Sequence, residues 1–199
     1  YRRHFLDFRP SVVVITNVEA DHLDYFSDAL DVENAFVEYA SLLPRGGSVV
    51  YCAEDPGARA VANRLAEARG DLFFLGYRRD GHPGAIAGGA HGEEVRIIAE
   101  RSEPGRLHFG IDEIDAAFAL TVPGRHNILN ATAAILAIGL IGVGRVGGDW
   151  RSFIGSRREL VAGALLAFSG SRRRSEQVGE AGGVRIMDDY GHHPTEIET

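Results

Sequence analysis

The sequence predicts an α/β fold: a mostly parallel Rossmann-like sheet flanked by helices, with a small antiparallel sheet. Three observations predict it. Apolar, β-rich runs at residues 11–16, 48–52 and 71–76 alternate with two stretches of helical periodicity, and that alternation builds parallel sheets. Residues 94–100 and 106–109 are joined through Pro104-Gly105, a turn pair that reads as an antiparallel hairpin. A long apolar helix at about 127–141 then supplies a layer to cover the sheet.

The first run, Val12-Val13-Val14-Ile15 between Ser11 and Thr16, is continuously β-branched, as a strand buried on both faces requires. Leu30, Ala35, Phe36, Tyr39, Leu42 and Leu43 recur at helical spacing and predict a helix that stops before Pro44 and Gly46-Gly47. After the strand at 48–52, Asp55-Pro56 is a helix start with proline at the first helical position. That helix should run to about residue 69 and feed the strand at 71–76. Residues 78–92 are Gly-rich and read as a surface connection. Residues 116–122 predict a further strand of the smaller sheet. Glycines at 142, 144, 147 and 148 punctuate the long helix, and a helix at about 156–168 leads to Ser169-Gly170, the expected boundary. Residues 177–189 read as a hairpin opening a second unit.

The chain's 199 residues can bury a core and predict one domain plus a piece of another. A net charge of −7 argues against a general nucleic-acid binder. No apolar run approaches the ~20 residues of a membrane span, and nothing resembles a secretory signal, so neither nucleic acid nor membrane is expected as a partner. One cysteine, Cys52, excludes an internal disulfide and fits a reducing compartment, so a cytoplasmic setting is expected. Every basic side chain is arginine; without lysine this stretch supplies no Schiff base and no phosphate-loop lysine.

Four stretches carry chemistry. Glu19, Asp21, His22 and Asp24 follow the first strand, where open α/β sheets bind ligands, and they could furnish oxygen and imidazole ligands for a divalent cation. Alternatively Asp21 and Asp24 cap the next helix while His22 packs on it. Pro123-Gly124-Arg125-His126-Asn127 enters the long helix, with Asn127 and Asn130 on one face near its N-terminus. An amide offers a donor and an acceptor together and can read a nucleobase edge; the plainer alternative is a helix cap by Asn127 with Asn130 solvated. Arg172-Arg173-Arg174 before Glu176 could hold phosphate or ribose, or be a solvated stretch. Asp188-Asp189-Tyr190-Gly191-His192-His193 packs two carboxylates and two imidazoles into six positions at a strand end, more than a turn requires. Cys52 reads as core, and His82, His91 and His108 as surface or loop residues.

The stretches RPSVVVITNVEADHLDYF, VPGRHNILNATAAI, FSGSRRRSE and MDDYGHHPTEI, in this order, resemble the Mur ligase family, the ATP-dependent amide ligases of peptidoglycan assembly. The resemblance covers nearly the whole chain and is weakest at 78–106. The wording Glu19-Ala20-Asp21-His22-Leu23 favours the alanine-adding members over those that recycle murein peptide. The resemblance implies ATP and Mg2+ as cofactors, UDP-N-acetylmuramate and L-alanine as substrates, and an acyl phosphate attacked by the amine. It implies His22 as a magnesium ligand, Asn127 and Asn130 beside the adenine, and Arg174 and Asp189 near the ribose. His126, His192 and His193 would lie close to the nucleotide or the closing interface; with His22 they form the catalytic set.

Departures from the family pattern set further expectations. The family's phosphate loop with its lysine belongs upstream of residue 11, and no such sequence is present. Residues 1–170 are then expected to be a central ATP-binding domain without that loop, and 171–199 the start of the C-terminal domain. The UDP-binding domain and the rest of the C-terminal domain are expected as partners from the same enzyme, so the piece alone should be inactive. Ser175 stands where many relatives carry an aromatic residue. Two other readings remain: a non-catalytic nucleotide-binding module, and a metal-dependent hydrolase built from Asp21, His22, Asp189 and His192.

Overall fold

In the computed structural model, residues 4–21, 25–82, 87 and 91–191 are described. A short 3-10 turn precedes strand β1 (Val12–Ile15), followed by helix α1 (Ala29–Ala40), β2 (Ser48–Cys52), α2 (Pro56–Ala68) and β3 (Phe73–Arg79). Both helices start on aspartate. Asp28 accepts from Asp31 N at 2.9 Å and Asp55 from Ala58 N at 2.6 Å, each satisfying a first-turn amide that has no partner within its helix. Strands β4 (Gly92–Glu103), β5 (Arg106–Ile111) and β6 (Ala116–Leu120) complete a six-stranded sheet in the order β1-β2-β3-β4-β5-β6. The pairings from β1 to β4 are parallel, and those from β4 to β6 antiparallel.

The fold class is the one expected, but the hairpin is attached differently. It has no sheet of its own, because β3 continues through Tyr77, Arg78 and Arg79, and β4 pairs alongside it from Phe74 opposite Gly92 to Arg79 opposite Ile97. The separate antiparallel sheet is formed instead by β7 (Glu176–Ala181) and β8 (Val184–Asp188).

Parallel neighbours require right-handed crossovers, which put α1 and α2 on one face of the sheet. Side chains alternate along each strand, so β2 feeds two cores. Val49 and Tyr51 join Val13, Ile15, Val61, Leu65 and Phe74 beneath α1 and α2. Val50 and Cys52 join Leu75, Tyr77, Val95, Ile97, Phe109 and Phe118 on the opposite face. That second face is covered by α3 (His126–Val146), α4 (Trp150–Gly155) and α5 (Arg158–Ala167).

Helix α3 runs past its expected end, through Gly142 and Gly144 to Val146, and is capped by Gly147. Packing explains the glycine at 142, and the one at 139 before it. A Cβ on Gly142 would lie 2.2 Å from Cζ of Phe153, and one on Gly139 would lie 3.1 Å from Ile154, so bare backbone makes the seat for α4. Trp150 anchors that short helix, 4% exposed, with its indole N–H donating to Glu93 at 3.2 Å. By length and composition α3 could also cross a membrane, but Ile128, Ala131, Ile135 and Leu136 are buried against the sheet as in a core helix.

Candidate functional site

The carboxyl ends of β1, β2 and β3, with the start of α3, bring together the polar groups that an open α/β sheet uses for ligands. After β1, Thr16 Oγ1 donates to Asn17 Oδ1 (3.1 Å), and Asn17 Nδ2 donates to Glu19 at 3.4 Å. The Val18 N–H donates to Asp55 Oδ1 at 3.1 Å, the same oxygen that caps α2. This docking requires Gly57: a Cβ there would lie 2.1 Å from the Val18 carbonyl oxygen. The loop after β1 and the first turn of α2 are therefore one unit.

Glu54, just past β2, accepts from the Arg79 backbone N–H at 2.6 Å, from Nε at 3.0 Å and from Nη2 at 2.6 Å. Burial pushes the Glu54 carboxyl up, but these hydrogen bonds outweigh it and draw the group below its ordinary value. The pair locks the ends of β2 and β3 together. Next in line, Glu100 of β4 accepts from Arg125 Nη2 at 2.6 Å, at the threshold of α3.

The asparagine pair opens α3. Asn127 does not cap it. Its Nδ2 donates to the Pro123 carbonyl at 2.5 Å, closing the loop beneath the helix, and its Oδ1 accepts from Asn130 Nδ2 at 3.4 Å. Asn130 is therefore held rather than merely solvated, by a bond long enough for a ligand to displace. Gly124, at φ +90°, lets the His126 ring lie on it; a Cβ there would sit 2.4 Å from Cε1 of the imidazole.

The second group of expected residues lies at the base of the β7–β8 hairpin. Asp189 Oδ2 accepts from the Ser175 N–H (2.6 Å) and Oγ (3.2 Å), while Oδ1 accepts from the Gly191 N–H at 2.6 Å. Backbone bonds from Gly191 and Ser175 hold the Asp189 carboxyl below its usual range, with the Arg174 charge acting in the same direction. Ser175, the departure from the family's aromatic residue, thus supplies a hydroxyl to the carboxylate expected near the ribose. The neighbouring arginine does not point freely into solvent: Arg173 lies over Tyr190, 4.7 Å from the ring centre, and its backbone N–H donates to Glu176 at 2.8 Å.

His22 and Asp24, with His192 and His193, lie outside the described residues. Among the described residues no three His, Cys, Asp or Glu side chains gather closely enough to hold a metal ion. The residues that sequence reasoning missed are Glu54, Arg79, Glu100 and Arg125. Asp55, expected as a helix start, also holds the Val18 N–H.

The sequence matches the profile of the Mur ligase middle domain over residues 2–138. The chain belongs to the Mur ligase family. A UDP-N-acetylmuramate–L-alanine ligase from Treponema pallidum (strain Nichols) is 38% identical over 199 residues, covering 100% of this chain and 38% of that protein. A protein of the same name from Arthrobacter sp. (strain FB24) is 40% identical over 193 residues, covering 97% of this chain and 36% of that protein. This Mur ligase chain thus spans well under half the length of the curated relatives it matches. Among solved structures, MurF from Acinetobacter baumannii superposes with a TM-score of 0.68 at 19% identity, over 98% of this chain and 37% of that one. A mutant of L. casei FPGS gives a TM-score of 0.68 at 18% identity, over 96% of this chain and 41% of that one. Both likenesses concern the fold.

Proposed function

We propose that this chain is the nucleotide-handling core of an ATP-dependent ligase that joins L-alanine to UDP-N-acetylmuramate in the cytoplasm. Residues 1–170 would form its central domain, and 171–199 would open its C-terminal domain. The reading is supported by the names of the relatives near 38–40% identity and carried by one observation. A displaceable amide pair, Asn127 and Asn130, stands at the start of α3, beside the strand ends where this class of sheet takes its ligand.

The residues present fit ATP in their chemistry. Asn130 can exchange its 3.4 Å bond to Asn127 for the donor–acceptor edge of a purine. Asp189 is held ionised by three donors, and a carboxylate with two oxygens retains acceptor capacity for a ribose hydroxyl. Arg174 would stand with it. When bound, ATP supplies the phosphoryl group that activates the substrate carboxylate for attack by the amine. His126, lodged against Gly124, would border that nucleotide, as would His192 and His193. His22 would ligate Mg2+ beyond the β1 end. The docking of Val18 and Gly57 would fix the path of the loop that leads to it. With no lysine in the sequence, phosphate-loop chemistry must come from outside residues 1–199, and this piece alone should not turn over ATP.

The test is an ADP-release assay on the intact gene product containing this chain. Release should require both UDP-N-acetylmuramate and L-alanine, and Asn127→Ala should raise KM for ATP roughly two- to tenfold, the effect of one or two lost hydrogen bonds. Release indifferent to L-alanine sinks the substrate assignment. Nucleotide binding without any release would favour a non-catalytic module.

A further inference from the structure

The start of α3 has weak local means of holding its position. Arg125 occupies the cap position without a side-chain cap bond, the residue before it is Gly124 at φ +90°, and the Asn127 bond reaches only to Pro123. Among the described residues, the long-range side-chain bond made by this turn is Arg125 to Glu100, 25 positions away.

Glu100 reaches that position through an irregularity in β4. Ile98 lies opposite Gly110 and Arg101 opposite His108, so Ala99 and Glu100 together face the single residue Phe109. This is a β-bulge, with Ala99 at φ +53°, and bulges re-aim side chains. In a regular strand the alternation would send Ala99 to the face of Phe109 and α3, and Glu100 to the other face. The extra residue turns Glu100 onto the α3 face, where its side chain is 13% exposed and paired with Arg125. The Glu100 charge also bears on Arg79, the partner of Glu54. Acid and base thus alternate from the end of β2 to the start of α3.

We infer that the bulge at Ala99–Glu100 is a positioning device, aiming Glu100 at Arg125 so that the first turn of α3 presents Asn127 and Asn130 in fixed relation to the strand ends. Neither Glu100 nor Arg125 needs to touch the ligand. The inference rests on the reading of this helix end as a nucleotide site.

The experiment is a double-mutant cycle in the intact gene product with Glu100→Gln, Arg125→Met and both together. Affinity for the non-hydrolysable analogue AMPPCP is read by calorimetry, and amide exchange is read at residues 126–130. Each single variant should weaken AMPPCP binding roughly two- to fivefold, the scale of a partly exposed ion pair, and speed exchange in that turn. The double variant should be no worse than the weaker single, and Arg125→Lys should retain most of the affinity. Additive losses, or unchanged affinity and exchange in both singles, overturn the inference. Asn127→Ala serves as the separate control. If it leaves AMPPCP binding intact, the nucleotide reading fails; coupled exchange between Glu100 and Arg125 would then still support the positioning pair, and uncoupled exchange would overturn it.

Discussion

A carboxylate held by three donors is a different group from one in water, and Asp189 shows the consequence. Bonds from Ser175 and Gly191 favour its charged form, which lowers its pKa from the ordinary value of 3.8. The unfolded chain then binds the proton more readily than the folded one, so the hairpin base gains stability above pH 3.8. It loses that contribution as pH falls through the lower folded value. A carbon-detected NMR titration should place the Asp189 midpoint below 3.8, with the Ser175 and Gly191 amides shifting in step. A midpoint at or above it would mean those hydrogen bonds are not made in solution. Glu54 follows the same sign, because Arg79 draws its carboxyl down against the opposing effect of burial.

Between elements, the decisive contact is the docking of the β1 loop on α2. Gly57→Ala puts a methyl group 2.1 Å from the Val18 carbonyl oxygen, a backbone atom that cannot rotate away. The expected cost is about 1–3 kcal/mol, the range for overpacking, despite alanine's better helix propensity; chemical denaturation should read it as a lower midpoint with unchanged slope. An unchanged midpoint would show that the loop yields. Elements of this kind differ in how far the sequence discloses them. β1, β2 and α2 were legible because strand alternation, the Asp-Pro start and helical spacing act within a few residues. The length of α3 was not, because the signal at Gly142 and Gly144 is local while the reason for Gly142, the Phe153 ring, lies beyond the helix. The same division runs through the site. Asn127 and Asn130 share a helix face and could be read as a pair. Glu54 with Arg79 and Glu100 with Arg125 are each 25 residues apart, and the bulge that aims Glu100 has no local marker.

At the scale of the whole molecule, one sheet separates two apolar layers, and the candidate site lies at the rim where both meet. Strand β2 belongs to both layers, with all five of its residues buried. The sequence's single cysteine, Cys52, is on that strand, 3% exposed. Burial raises its pKa, so at neutral pH it is an un-ionised thiol, out of reach of reagents that attack thiolates. The molecule therefore carries its own clock. Labelling by a thiol reagent should wait for the centre of the sheet to open, and the rate should yield the same free energy as global unfolding by denaturant. Labelling as fast as a free thiol would mean that the layer beneath α3 breathes independently of the rest. Cys52 is the only sulfhydryl within these 199 residues, so following the peptide that carries it by mass spectrometry isolates the reading, and repeating it with AMPPCP present would show whether an occupied rim slows the opening of the centre.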